Sequence, residues 1–259
     1  MRYSICVTVY NSEDVVDVFL APLIKTEYEI VVVDGMSTDR TPELLSKYKD
    51  RIKIIEKKCS RGLGRKIAIE NSTGDVIMTL DFDIQIFSIE KIVEQYERSS
   101  PEDKISVFYL LGGNCNPSIF IGKKALFNHY DAWQDVNYMD DVYFEKVCNH
   151  FDALRRVNFK ADYKCLKIRG SGSGRETRYE VNIVRKILRR IKITADILFV
   201  SGFTYNQLLN FYKLKYISGK LYGLALYIPA KLISYFIKTP SVNEKIKEIQ
   251  GSGTLTVKE

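Results

Sequence analysis

Asp81 and Asp83 close the run Asp75-Val76-Ile77-Met78-Thr79-Leu80-Asp81-Phe82-Asp83, an apolar stretch that ends on two carboxylates one residue apart. Alternate residues of a strand point the same way, so both side chains can face one site beyond the strand's carboxyl end. Two hard oxygen donors there suit Mg²⁺ or Mn²⁺, ions that complete their shells with phosphate oxygens or water. An Asp-x-Asp alone is a weak signal. Here it is accompanied by polar residues closing two other apolar runs: Thr8 to Asn11 after Tyr3–Val9, and Asp34 after Glu29–Val33.

The elements that must position these groups follow from pattern. Tyr3–Val9, Glu29–Val33, Ile52–Glu56 and Val76–Leu80 predict strands, and the first ends at a turn that opens a helix near Glu13 to Lys25. Thr41-Pro42-Glu43 starts a helix with a cap, a first-turn proline and an acid at the positive dipole end. Gly62 to Asn71 predicts another. Apolar strands alternating with helices predict an α/β fold, a mostly parallel sheet covered on both faces. Ligands of such sheets sit outside the carboxyl ends of the strands, where all three polar clusters fall. Further on, Ser88 caps a helix to about Ser99, Ile105–Leu111 is a strand, and Asp140-Asp141 begins a helix to about His150.

The chain has 259 residues, 46% of them apolar, enough for a full core. Its net charge of +7 conceals an asymmetry: Arg155 to Pro240 carries 18 Lys/Arg against four Asp/Glu, leaving the remainder acidic. A basic half is compatible with anionic substrates, anionic lipid or nucleic acid. The five cysteines are scattered without a Cys-x-x-Cys pair and read as reduced packing residues of a cytosolic protein. With only His129 and His150 present, His-rich metal chemistry is not expected. Met1 leads straight into a strand-like run, so no signal peptide is expected.

Thr8-Val9-Tyr10-Asn11, Val33-Asp34-Gly35-Met36-Ser37-Thr38-Asp39, Arg61-Gly62-Leu63-Gly64-Arg65 and Leu80-Asp81-Phe82-Asp83 occur in the order and spacing of family 2 glycosyltransferases with the GT-A fold. The resemblance covers roughly residues 3 to 180. It implies a GT-A, Rossmann-like sheet flanked by helices, and inverting transfer from a nucleotide-diphosphate sugar such as a UDP- or GDP-sugar, dependent on Mn²⁺ or Mg²⁺. By similarity, Thr8, Tyr10, Asn11 and Asp34 serve the nucleoside, Asp81 lies near the ribose, and Asp83 holds the metal on the diphosphate. Arg65 adds positive charge there. The family's acceptor base precedes a helix, which here implies Asp141, with Asp140 as its neighbour; the usual Glu-Asp is replaced by Asp-Asp. Arg175-Glu176-Thr177-Arg178-Tyr179 resembles the (Gln/Arg)-x-x-Arg-Trp element of processive members, with Tyr for Trp. It implies that Arg175 and Arg178 close over the diphosphate. Trp133 either lines the acceptor site or belongs to the core.

The organisation expected is a catalytic domain over 1–180 (nucleotide-sugar binding to 100, acceptor part beyond), a basic amphipathic helical region over 181–240, and a polar tail over 241–259. Leu221–Ile237 is apolar apart from Lys231 and is interrupted by Pro229, too short to span a bilayer. This C-terminal helical extension fits a membrane-surface contact with a lipid-linked acceptor, a homodimer contact, or packing on the catalytic domain. The location expected is cytoplasmic, peripheral at the cytoplasmic membrane face. Three rivals differ in class. A nucleotidyltransferase would need a glycine-rich first loop where Tyr10-Asn11-Ser12 stands. A nucleic-acid-binding protein would need a recognition motif, so nucleic acid is not an expected partner. The third is an inactive relative that binds nucleotide sugar.

Overall fold

The computed structural model describes residues 1–99, 101–112, 117–166, 183–212 and 217–252. Its strands are β1 (Tyr3–Val9), β2 (Glu29–Asp34), β3 (Lys53–Glu56), β4 (Val76–Asp81), β5 (Ile84–Ile86), β6 (Ile105–Leu111), β7 (Ser118–Lys123), β8 (Leu154–Lys160) and β9 (Tyr163–Cys165). Its helices are α1 (Val16–Leu23), α2 (Thr41–Ser46), α3 (Arg61–Glu70), α4 (Ile89–Ser99), α5 (Lys124–Tyr130), α6 (Asp140–His150), α7 (Ile183–Ser201), α8 (Tyr205–Phe211), α9 (Ile217–Ser234) and α10 (Val242–Gly251).

Seven strands form one sheet in the order β3-β2-β1-β4-β7-β6-β8, and β5 pairs with β9 in a small antiparallel sheet. The pairs β1–β2, β1–β4, β2–β3 and β6–β8 are parallel, whereas β7 runs antiparallel to both β4 and β6. The sheet is thus mostly parallel with one reversed strand. The central strands are buried along almost their whole length because both faces are covered. One core holds Phe19, Leu20, Ile92 and Val93 from α1 and α4; the other holds Ile67, Phe127, Phe144 and Val147 from α3, α5 and α6. Sequence explains the helices: Ile89, Ile92, Val93 and Tyr96 make the buried stripe of α4 at the i, i+3, i+4, i+7 spacing.

Two expectations change. The segment after Pro240 is not merely a polar tail: Ser241 and Glu244 form a capping box that starts α10. Val242 packs against the second core, and Lys245 and Ile249 are buried one and two turns on. The cysteines are not all reduced. Cys6, Cys59 and Cys148 are free, but Cys165 at the end of β9 is disulfide-bonded, a pairing that no spacing motif announces. No helix among the described residues is long and apolar enough to cross a membrane.

Candidate active site at the sheet rim

Strand register gathers the predicted residues. Thr8 lies opposite Asp81 on β4, and Val9 lies opposite Asp34 on β2. Asp34 is 1% exposed, and its carboxylate accepts hydrogen bonds from the Ser37 backbone N–H (3.2 Å) and hydroxyl (2.5 Å). Burial pushes its pKa up, and these Ser37 bonds pull against that shift. The adjoining turn is held by Asn11, whose backbone N–H donates to Ser37 Oγ (2.8 Å) and whose Oδ1 accepts from the Thr38 N–H (2.8 Å). Tyr10 is half exposed, with its ring edge beside Gly35.

β4 ends at Asp81, while Asp83 lies in the turn leading to β5. Alternation along a strand therefore accounts for Asp81 alone. Asp83 is set by the turn, in which Phe82 buries its ring against Phe19 (4.2 Å, stacked) and the Asp83 carbonyl accepts from the Leu166 N–H (2.7 Å). Among the described residues no cluster of three or more metal-ligating side chains gathers. The donor set is two carboxylates with one Asp81 oxygen committed to Arg65, which fits an ion that takes its other ligands from diphosphate and water.

Arg65 is the hub. Two glycines bring it there: a Cβ on Gly64 would overlap the Thr8 side chain, and one on Gly62 would lie 3.2 Å from Asp140 Cβ and collide with the Gln134 carbonyl. Ser60 caps α3 by accepting from the Leu63 N–H (3.2 Å), so the helix starts against the rim. The Arg65 guanidinium is 5% exposed, pairs with both Asp81 and Asp140, and lies 4.6 Å from the centre of the Trp133 ring. Burial pulls its pKa down, Arg61 adds to that, and Asp81, Asp141 and Asp83 act the other way. Asp83 and Asp141 are therefore both within electrostatic reach of this side chain. Arg65 is not a solvated helix residue; it joins the acidic end of β4 to the start of α6.

Asp140 is 1% exposed, and both of its oxygens are occupied, one by Arg65 and one by Arg61 (Nε 2.8 Å, Nη2 2.5 Å). Asp141 beside it is partly exposed. The residue before them, Met139, has φ 61°, a left-handed conformation unfavourable for a side chain; Asn11 (φ 46°) and Met36 (φ 66°) share it at the same rim. Asp196 on α7 steadies this segment: its carboxylate accepts from the backbone N–H groups of Tyr138 and Asn137. Burial raises its pKa to about 6, opposed by Lys192 and assisted by Asp135. Trp133 is a core residue, stacked on Phe144 (4.4 Å) beneath Arg65.

Sequence reasoning overlooked Arg61 and Asp196. Arg61 opens the very motif that was singled out, and Asp196 is the one acid among ten Lys/Arg between residues 183 and 240. That isolation was a readable signal of a buried partner. Arg175 and Arg178 lie outside the described residues. A cavity of about 540 Å³ lies not at the rim but at the other end of α3; its lining Lys66, Lys124 and Lys245 are balanced by Glu70, Asp131 and Glu248, which gives no preference for an anion.

A parallel sheet with acids and a buried arginine at its carboxyl rim, closed by one reversed strand, is the GT-A class of α/β fold. Residues 4–116, somewhat less than half of the chain, match the family model described as glycosyl transferase family 2. Its sequence is similar to the poly(ribitol-phosphate) beta-glucosyltransferase of Bacillus spizizenii, 34% identical over 110 residues, which is 38% of this chain and 17% of that one. It is also similar to the poly(ribitol-phosphate) beta-N-acetylglucosaminyltransferase TarS of Staphylococcus aureus, 31% identical over 93 residues, or 32% of this chain and 16% of that one. The chain's match thus spans about a sixth of the length of these curated relatives. The crystal structure of S. aureus TarS 1–349 in complex with UDP-GlcNAc superimposes with a TM-score of 0.53 at 20% identity, covering 76% of this chain and 67% of that one. The mannosyltransferase PcManGT from Pyrobaculum calidifontis, in complex with GDP-Man and Mn²⁺, gives 0.51 at 14% identity, covering 98% and 76%.

Proposed function

We propose that the chain transfers a sugar, with inversion, from a nucleotide-diphosphate sugar to a hydroxyl or phosphate of a glycan or lipid-linked acceptor. The observation that carries this reading is Arg65, which ties the donor-side acid Asp81 to the acceptor-side acid Asp140 in one buried cluster. Thr8, Tyr10, Asn11 and Asp34 frame the nucleoside pocket, with the Tyr10 ring offered to the base. Asp140, saturated by Arg61 and Arg65, fixes the start of α6. Asp141, partly exposed beside it, takes the proton from the acceptor hydroxyl as that oxygen attacks the sugar's C1. The bond from C1 to the diphosphate oxygen breaks, and its electron pair leaves with the nucleoside diphosphate. Asp83, with Asp81 alongside, would hold Mn²⁺ or Mg²⁺, which supplies charge neutralisation at the departing diphosphate. Arg175 and Arg178 are assigned to the same anion by their Arg-x-x-Arg-Tyr element.

UDP is the favoured nucleotide and a polyol-phosphate polymer the favoured acceptor, because both curated relatives are named for poly(ribitol phosphate) and TarS is seen with UDP-GlcNAc. Calorimetric titration of UDP, GDP and their sugars with and without Mn²⁺ tests the donor. Mn²⁺-dependent binding of one nucleotide is expected, weakened at least about tenfold in Asp83→Asn. Asp141→Asn should keep that binding and lose transfer by roughly a hundredfold or more. No nucleotide binding, or full transfer by Asp141→Asn, would sink the corresponding assignment.

A further inference from the structure

The outer face of the C-terminal helices is not used by the site. α9 divides its described side chains cleanly: Leu226, Ala230 and Ser234 are buried, Ala230 in a small core with Ala195, Leu198 and Leu208. Two positions round the helix, Leu224 (41% exposed), Ile228 (54%) and Leu232 (58%) form a second row at i, i+4, i+8. Tyr235 (72%) and Phe236 (82%) continue that row past the helix end, and Ile187 and Leu188 on the neighbouring α7 are exposed as well. Single exposed apolar residues are ordinary, but a row of this length marks an interaction surface.

Charge selects the occupant. Residues 183–240 contain ten Lys/Arg and one acid, Asp196, which is buried. Among the described side chains Arg190, Lys192 and Lys238 are exposed and Arg189 and Lys231 partly so, and a second copy would bring these cations against their like, which opposes a two-fold contact. An anionic bilayer satisfies both features, taking the apolar row below its headgroups and the cations at their level. Lys231 has the posture expected at such a boundary, with its ammonium 5.3 Å from the centre of the Tyr235 ring.

The row also ends at a telling place. Three residues past Phe236, the chain is clipped to the acceptor side: Thr239 Oγ1 donates to the Asp135 carbonyl (3.1 Å), and the Tyr143 hydroxyl donates to the Pro240 carbonyl (2.6 Å). Those two contacts bracket Asp140 and Asp141. We propose that the outer face of α9, from Leu224 to Phe236, docks on an anionic lipid bilayer and holds the Asp141 edge of the site at the membrane surface, where a lipid-linked acceptor arrives. The second half rests on Asp141 acting as the base; the docking does not.

Co-sedimentation of the full chain with vesicles of phosphatidylcholine alone and of phosphatidylcholine mixed with phosphatidylglycerol tests the docking. Binding is expected only with the anionic vesicles. It should fall by at least about tenfold in the triple variant Ile228→Glu, Leu232→Glu, Phe236→Glu, whose substitutions are all on exposed positions. Circular dichroism and nucleotide titration, unchanged in that variant, show that the fold and donor site survive. Binding to neither vesicle, equal binding to both, or a wild-type dimer that the triple variant turns to monomer without loss of vesicle binding would overturn the proposal. Anionic-vesicle binding without any nucleotide binding would instead remove the transferase reading and leave the docking surface standing.

Discussion

Single side chains of the candidate site divide into those wholly committed to neighbours and those left partly open, and burial separates the two. Asp140 and Asp141 are neighbours of the same type, yet one has both oxygens committed and the other is partly open. Removing one partner from a buried ion pair costs about 3–5 kcal/mol, so the saturated acid is placed for structure. Asp196 holds the same segment from behind, at a cost that depends on pH. Its folded pKa of about 6 exceeds the ordinary 3.8, so between those values the folded chain keeps a proton that the unfolded chain has released. Stability contributed by this group therefore falls as pH rises through that window and levels off above it. Asp196→Asn keeps an acceptor for the Asn137 and Tyr138 N–H groups without the charge. Relative to wild type it should gain stability as pH rises from about 4 to 6, reaching roughly 2–3 kcal/mol at about 1.4 kcal/mol per pH unit. Parallel urea-denaturation curves across that range would refute this role.

At the scale of elements, α3 is seated by the absence of side chains. Gly64 meets Thr8 so closely that any Cβ forces the helix away from β1, and with it the Arg65 guanidinium. Gly64→Ala should cost about 1–3 kcal/mol in thermal unfolding and weaken nucleotide binding together with it. Gly251→Ala, where a Cβ would meet nothing within 4 Å, is the matched control and should cost nothing. The motif Arg61-Gly62-Leu63-Gly64-Arg65 was visible in sequence. What it does was not, because glycines that permit contact and glycines that permit a turn read alike until the opposing residue is known. The first four parallel strands were legible because each is a short apolar run between turn signals. β8, an edge strand with alternating exposure, and β5 and β9, three residues each, carry too little pattern to be seen.

For the whole molecule, the candidate site's rim was readable from polar residues at strand ends, and the fold class from the alternation of elements. The connection between the end of β4 and the start of α6 was not, since Arg65 and Asp140 are 75 residues apart and only the folded chain brings them together. α10 was equally hidden: its stripe of Val242, Lys245, Ile246 and Ile249 includes a lysine that is buried only because Asp131 and Glu248 receive it (2.9 and 3.1 Å).

The reversed strand β7 has a practical consequence for anyone dividing this chain. The family match stops at residue 116, two residues before β7 begins at Ser118. Yet β7 is the strand that β4 and β6 both pair with, so it is an interior strand of the sheet and not an addition to it. A fragment cut at 116 would present Val76–Thr79 and Ser106–Tyr109 as two bare strand edges with no partner between them. Such edges recruit other chains. That fragment should accumulate as insoluble aggregate on expression, whereas one reaching Gly251 should stay in solution; a soluble, monomeric 1–116 would show that the sheet can close without its keystone.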